Sequence, residues 1–176
     1  MAVEDFAQLV GRTRETKYDA SMEKVASLIE RFTTFPVVEK LELLRRTLFC
    51  LLTGGEDMHL KNFSVITRDS RVQLSPAYDL INSTIVLRRV EEELALPLNG
   101  KKRNLTRRDV LYHFARERLG LTPAAIEKLL EDFAAARAGW DALLEASFLP
   151  ASAKVAYREL LERRWDRFIS NRTAST

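Results

Sequence analysis

Apolar residues recur along most of this chain at intervals of three and four, the spacing of one helix face. Met22, Val25, Leu28, Ile29 and Phe32 share a side behind Ser21, whose hydroxyl can cap, and predict a helix over 21–32. A second helix begins near Pro36, a residue suited to a first turn, and runs through Val37, Leu41, Leu44, Leu48 and Leu52. It stops at Gly54-Gly55, where glycine can take the left-handed cap conformation. Because its C-terminal end is apolar nearly all round, this helix is expected at the centre of the core. Thr106 with Asp109 resembles a capping box opening a helix to Leu119, closed by Gly120. Thr122-Pro123 starts another, to about residue 145; Pro150 interrupts, and Ser152 opens a terminal helix ending near Asn171.

Only the middle of the chain reads as strand. Residues 63–67 and 71–74 flank a turn at Asp69-Ser70, and a further short strand is expected at 94–98. No run of strands precedes residue 36. The pattern predicts a mainly α (α+β) fold: one helical domain over residues 1–176 with a small central β-hairpin.

Composition narrows the class without naming a function. The chain has 176 residues, 46% of them hydrophobic, enough for one sizeable core and too few for two full domains. A single cysteine, Cys50, lies in an apolar run and reads as core; with no internal disulfide possible, a reducing cytoplasm is the expected compartment. No apolar run approaches the roughly 20 residues of a membrane span, and no secretory signal is visible. The net charge of +3 is mild, but Lys101, Lys102, Arg103, Arg107 and Arg108 cluster with no acid among them. Such a run is either a solvated surface or a phosphate-backbone contact.

The polar residues around the hairpin stand in an order that carries chemistry. Asp57-Met58-His59-Leu60-Lys61-Asn62 joins the buried helix to the first strand, and Ser75-Pro76-Ala77-Tyr78-Asp79 returns the chain after the second. Asn62 precedes one strand and Asp79 follows the other, so the hairpin can bring them together. Phosphoryl transfer needs a carboxylate to orient or deprotonate the attacking hydroxyl, and hard oxygen ligands to hold Mg²⁺ on the phosphates. An Asp-x-x-x-x-Asn loop, a hairpin and a second Asp supply these roles in protein kinases. His59 and His113 are the only histidines, and no zinc pattern forms around them. Trp140 and Trp165 read as helix-packing residues.

These segments, Asp57-x-His59-x-Lys61-Asn62-Phe63-Ser64 and Leu74-Ser75-Pro76-Ala77-Tyr78-Asp79-Leu80, resemble the C-terminal lobe of HipA-type serine/threonine kinases, toxins of bacterial toxin–antitoxin pairs. Glu4-Asp5-Phe6-Ala7-Gln8-Leu9 and the run from Leu94 to Lys102 also resemble family segments. The resemblance implies a kinase-like C-lobe that uses ATP and Mg²⁺ to phosphorylate a protein serine or threonine. Asp57 would be the catalytic base; His59, Leu60, Lys61 and Asn62 would contact nucleotide, with Tyr78 against it; Asn62 and Asp79 would bind Mg²⁺. Lys61 could also neutralise developing phosphate charge. Lys101, Lys102 and Arg103 would lie near operator DNA when the kinase is docked on a helix-turn-helix antitoxin.

The six glycines form no G-x-G-x-x-G or Walker pattern. A nucleotide-gripping N-lobe is therefore expected from elsewhere, such as a separate chain. The alternative is a non-catalytic truncated or pseudokinase module that binds the antitoxin.

Overall fold

The computed structural model describes residues 2–85 and 92–170. It is mainly helical around one small antiparallel sheet, the class the periodicity predicts. Helix α2, Met22–Phe32, comes after short α1, Phe6–Leu9, and starts as expected: Lys24 N–H donates to Ser21 Oγ at 3.2 Å. Its apolar stripe, Met22, Val25, Leu28 and Ile29, is buried. Helix α3, Pro36–Thr53, buries Leu43, Leu44, Leu48, Leu51 and Leu52 and is the central element. Each fully buried leucine contributes about 1.5–3 kcal/mol, so this helix anchors the loop and hairpin that extend from its C-terminal end. Cys50 is core, as expected, and burial pushes its thiol up to about 12.

Gly54 ends α3 in the left-handed region, φ +80°, and its N–H donates to Cys50 O at 2.9 Å. A Cβ there would lie 2.7 Å from Thr84 Oγ1 and 2.8 Å from Asn82 Oδ1. The glycine thus serves two ends: it turns the chain, and it lets segment 82–85 close over the turn. Ser83 and Thr84 N–H groups donate to Gly54 O at 3.0 and 3.3 Å. The chain after Gly54 therefore leaves the core in one direction only.

The sheet has three strands in the order β1-β2-β3: Ala2–Asp5, Ser64–Arg68 and Arg71–Leu74. The hairpin β2–β3 pairs Val65 with Leu74 and Arg68 with Arg71, the turn falling at Asp69-Ser70, both at positive φ. Thr34 and Glu39 cover the outer edge of β3, accepting from Val72 and Leu74 N–H at 2.8 and 3.0 Å. Strand β1 was not expected. It is mostly exposed and carries no alternating apolar signal, yet it pairs antiparallel with β2 from Ala2–Thr67 to Asp5–Ser64. The edge of β2 recruits it, and Phe6 fixes it by packing on Phe63, ring centroids 5.9 Å apart.

The strand expected at 94–98 does not form. Leu94, Ala95, Leu96 and Leu98 are buried, but the segment makes a single bridge, Leu98 to Lys101. Its backbone pairs piecemeal: Ala95 N–H donates to Glu56 O at 2.8 Å and Pro97 O accepts from Met22 N–H at 2.9 Å. Pro97 has no N–H to give a ladder. Burial of a hydrophobic run, rather than pairing, produced the strand-like pattern.

Residues Arg108–Arg118 are helical as expected but wound as a π-helix, with Leu119 N–H bonded to Phe114 O at 2.8 Å. Its start is the anticipated reciprocal box: Asp109 N–H donates to Thr106 Oγ1 at 3.2 Å and Thr106 N–H to Asp109 Oδ2 at 2.9 Å. Asp109 is also gripped by Asn99 Nδ2 at 2.7 Å and Lys101 Nζ at 2.9 Å. Helices α4, Pro123–Ala146, and α5, Ala151–Phe168, complete the fold. Residue 171, the expected end of the last helix, lies outside the described residues. Trp140 packs edge-on against Phe49, Phe133 and Trp165, and buried Arg164 donates to Leu51 O at 2.6 Å, locking α5 on α3.

Burial alone would raise the Asp109 carboxyl, but the hydrogen bonds from Thr106, Lys101 and Asn99 outweigh it and hold it well below the usual carboxylate range. A depressed carboxyl stabilises the fold above its unfolded-state value, and that contribution is lost only as pH falls through the folded value. Asp109→Ala is therefore expected to cost about 1–3 kcal/mol, because it removes the buried acceptor shared by Thr106, Asn99 and Lys101. Urea unfolding at pH 5 and pH 7 should give the same loss at both; a loss that shrinks toward pH 5 would show that Asp109 already protonates there.

Candidate active site

Gly54 releases the chain from α3 into residues 55–59, and a 3₁₀ turn, Leu60–Asn62, feeds it into β2. Three constraints fix this loop. Its amide ladder is tied inward, with Asn62 N–H on His59 O at 2.9 Å and His59 N–H on Asn62 Oδ1 at 3.2 Å. Leu60 puts its side chain into the core. Lys61 Nζ reaches Asp5 Oδ2 at 2.6 Å. Asp5 in turn caps α1, accepting from Gln8 N–H at 2.8 Å, so the first strand holds the loop from outside.

The return segment after β3 is fixed as firmly. Arg46, buried on α3, donates through Nη2 to Ser75 O at 2.5 Å, and Ser75 N–H donates to Ser64 O at 2.8 Å. Tyr78 hydroxyl donates to Lys61 O at 2.5 Å and lies 2.5 Å from Ser64 Oγ. The Tyr78 ring remains partly exposed. Asp79 comes next at φ +57°, a left-handed conformation that turns its carboxylate back toward the loop. Asn62 Nδ2 then donates to Asp79 Oδ2 at 2.6 Å. The two residues expected to meet across the hairpin do meet.

Asp57 stands at the mouth of this arrangement with its side chain 60% exposed. Its Oδ2 is 3.9 Å from His59 Nε2. His59 is itself buried, and burial is the chief reason its imidazole titrates below the usual histidine range; the Asp57 charge opposes this and Lys17 reinforces it. Lys17 Nζ sits 2.6 Å from His59 Nε2. As an ammonium has only donors, Nε2 accepts and the neutral ring carries its proton on Nδ1, which has no partner among the described residues.

Asn62 and Asp79 are thus bonded to one another and His59 N–H to Asn62, while the Asp57 carboxylate lies beside the His59 ring on the side of the hairpin, flanked by Tyr78. Two neighbours had no sequence signal: Lys17 and Tyr18 lie in a loop without periodicity, about forty positions from the residues they touch. Tyr18 hydroxyl donates to Asp57 Oδ1 at 2.8 Å, and its ring meets the His59 ring edge-on at 5.2 Å. Lys61 is the reverse case, since its charge is already paired with Asp5 rather than directed at these groups.

The basic cluster is placed apart from this site and mostly exposed, although three of its members are engaged in bonds within the fold. Lys101 is bound to buried Asp109, Lys102 pairs with Glu92 at 3.3 Å, and Arg107 donates to Phe168 O and Ile169 O at 2.7 Å each. Arg103 is exposed. Among the described residues no three His, Cys, Asp or Glu side chains converge as a metal cluster, so any cation at the hairpin would rest on mixed carboxylate and amide oxygens. Nor, among them, is any helix long and apolar enough to cross a membrane.

Similar sequences and a similar fold occur in known proteins. A Sinorhizobium fredii protein named "Putative kinase Y4dM" is 37% identical over 156 residues, which are 88% of this chain and 37% of that protein. The serine/threonine-protein kinase toxin HipA of Shewanella oneidensis is 38% identical over 66 residues, 38% of this chain and 15% of the toxin. A chain of the S. oneidensis complex of HipA, HipB and operator DNA superposes with a TM-score of 0.77 at 24% identity, covering 94% of this chain and 43% of that one. The chain therefore spans less than half the length of these relatives. Residues 1–140 match the family model described as the HipA-like C-terminal domain, and this chain belongs to that family.

Proposed function

We propose that this chain is the C-terminal lobe of a HipA-like serine/threonine kinase, carrying the base and Mg²⁺ residues for transfer of the ATP γ-phosphoryl to a protein hydroxyl. The observation that carries this reading is the 2.6 Å contact of Asn62 with Asp79, with His59 N–H on Asn62 and the exposed Asp57 carboxylate 3.9 Å from the His59 ring. A buried amide beside an exposed carboxylate, with a second solvent-facing carboxylate at Asp57, supplies the oxygen donors and the base that a phosphoryl-transfer site requires of this lobe.

Asp57 would act as the base. Its carboxylate accepts the proton of the attacking serine or threonine hydroxyl; that oxygen bonds to the γ-phosphorus, and the bond to the ADP oxygen breaks with its electron pair left on ADP. Asp79 and Asn62 fit Mg²⁺ by donor chemistry, a carboxylate and an amide oxygen with substrate phosphates filling the remaining positions. Asn62 Oδ1 now accepts from His59 N–H, so it would exchange that bond for the ion. Bound there, Mg²⁺ would neutralise charge on the phosphates. Tyr78, braced by Lys61 O and Ser64, would lie against the nucleotide. The groups that grip phosphates from the other side are expected from an N-terminal lobe, in the same or a separate chain.

In the kinase completed with that lobe, Asp57→Asn is expected to lower phosphate transfer by about 10²–10⁴-fold. Calorimetry should show Mg²⁺-ATP binding to the completed kinase retained in Asp57→Asn and lost in Asp79→Ala. Full activity in Asp57→Asn would remove the base assignment, and a completed wild-type kinase without any transfer activity would leave a non-catalytic binding module as the reading.

The S. oneidensis neighbour is described in complex with HipB and operator DNA. We infer a DNA-binding antitoxin as the partner of this chain also, with exposed Arg103 and surface Lys102 near the phosphates. Lys101 is exposed but paired with Asp109, and would reach phosphates only by giving up that pair. Neutralising Lys102 and Arg103 together should reduce the salt dependence of operator binding by the complex by about two charges' worth of slope. An unchanged slope would place this surface away from DNA.

A further inference from the structure

The loop between α1 and α2 grips the catalytic loop with two consecutive side chains. Lys17 holds His59 through Nε2 at 2.6 Å, and Tyr18 holds Asp57 through Oδ1 at 2.8 Å. The backbone joins in, with Leu60 N–H donating to Lys17 O at 3.3 Å. Lys17 Nζ also lies 4.8 Å from the centre of the Tyr18 ring, so the two side chains brace one another.

We propose that Tyr18 is a positioning residue for the Asp57 carboxylate, fixing its rotamer so that Oδ2 faces the incoming hydroxyl while Oδ1 stays occupied. The inference rests on the reading of Asp57 as the catalytic base. An exposed aspartate on an irregular loop otherwise samples several rotamers, and a base must sit within hydrogen-bond reach of the proton it takes. Asp57 is held by one strong side-chain bond, from Tyr18, with His59 farther off at 3.9 Å. A hydrogen bond to a carboxylate is among the stronger kinds. The donor also stays protonated throughout the working range: burial first, then the Asp57 hydrogen bond and charge, push the Tyr18 phenol up to about 12. Asp57, Lys17 and His59 are the charged and titratable groups that face it.

Two measurements test the role, one on the chain itself and one on the completed kinase. Tyrosinate absorbance across alkaline pH, with Tyr18→Phe identifying the transition, should place Tyr18 as the late-titrating phenol in the wild type. In Asp57→Asn its midpoint should fall toward the ordinary tyrosine value, though not all the way, since burial persists. An unmoved midpoint would show that the two groups are not coupled and would overturn the proposal. In the completed kinase, Tyr18→Phe should lower kcat about tenfold with KM for the protein substrate little changed, because the ring and its packing on His59 remain. An unchanged kcat would overturn the positioning role while leaving Asp57 as base. A wild-type kinase with no transfer activity, despite coupled titration, would overturn both.

Discussion

Asn62 stands just before β2 and Asp79 five residues beyond the end of β3, and the 2.6 Å hydrogen bond between them closes the hairpin into a ring. Most of the structure can be read as the means of making that contact. Helix α3 supplies a rigid floor, Gly54 aims the loop, Arg46 pins Ser75, and Asp79 accepts a left-handed backbone that a side chain ordinarily avoids. Non-glycine residues at positive φ persist where surroundings over-determine them, and such strain gathers at functional sites. Nδ1 of buried His59, which has no partner among the described residues, belongs to the same pattern. The protein holds these local penalties because the apolar core beneath, built on α3, outweighs them.

How much of this was legible depended on how far each interaction reaches along the chain. Helices α2 and α3, the cap at Gly54 and the hairpin are written in local periodicity and turn chemistry, and they formed close to where the pattern put them. The Asn62–Asp79 contact was legible too, because a hairpin is the shortest way to bring two distant residues together. Strand β1 was not, since Ala2–Asp5 has no apolar alternation and pairs only because β2 offers an edge. The segment at 94–98 misled for the opposite reason: it is apolar because it is buried, and its backbone bonds go to several different neighbours.

Side-chain partners were the least legible. Five basic residues in one short stretch read as a solvated surface or a phosphate contact, and nothing local showed that Lys101 also pairs with Asp109 or that Arg107 also bonds the carboxyl end of α5. Conversely, Lys17 and Tyr18 look like ordinary loop residues in sequence and prove to hold both polar groups at the front of the site. Family resemblance named the residues of the motif itself; the residues that set its geometry come from the loop before α2 and from the first strand, and only the fold reveals them.

The central claim is that the hairpin's ring of Asn62 and Asp79 is a nucleotide-metal site. Manganese in place of magnesium tests it directly, because the paramagnetic ion broadens nearby amide signals. Adding Mn²⁺-ATP to the isotopically labelled protein, completed with its nucleotide-gripping lobe, should broaden Asn62, Phe63 and Asp79 first and leave Asp109 sharp. Broadening centred on another carboxylate, or none at nucleotide concentrations that support transfer, would contradict the account.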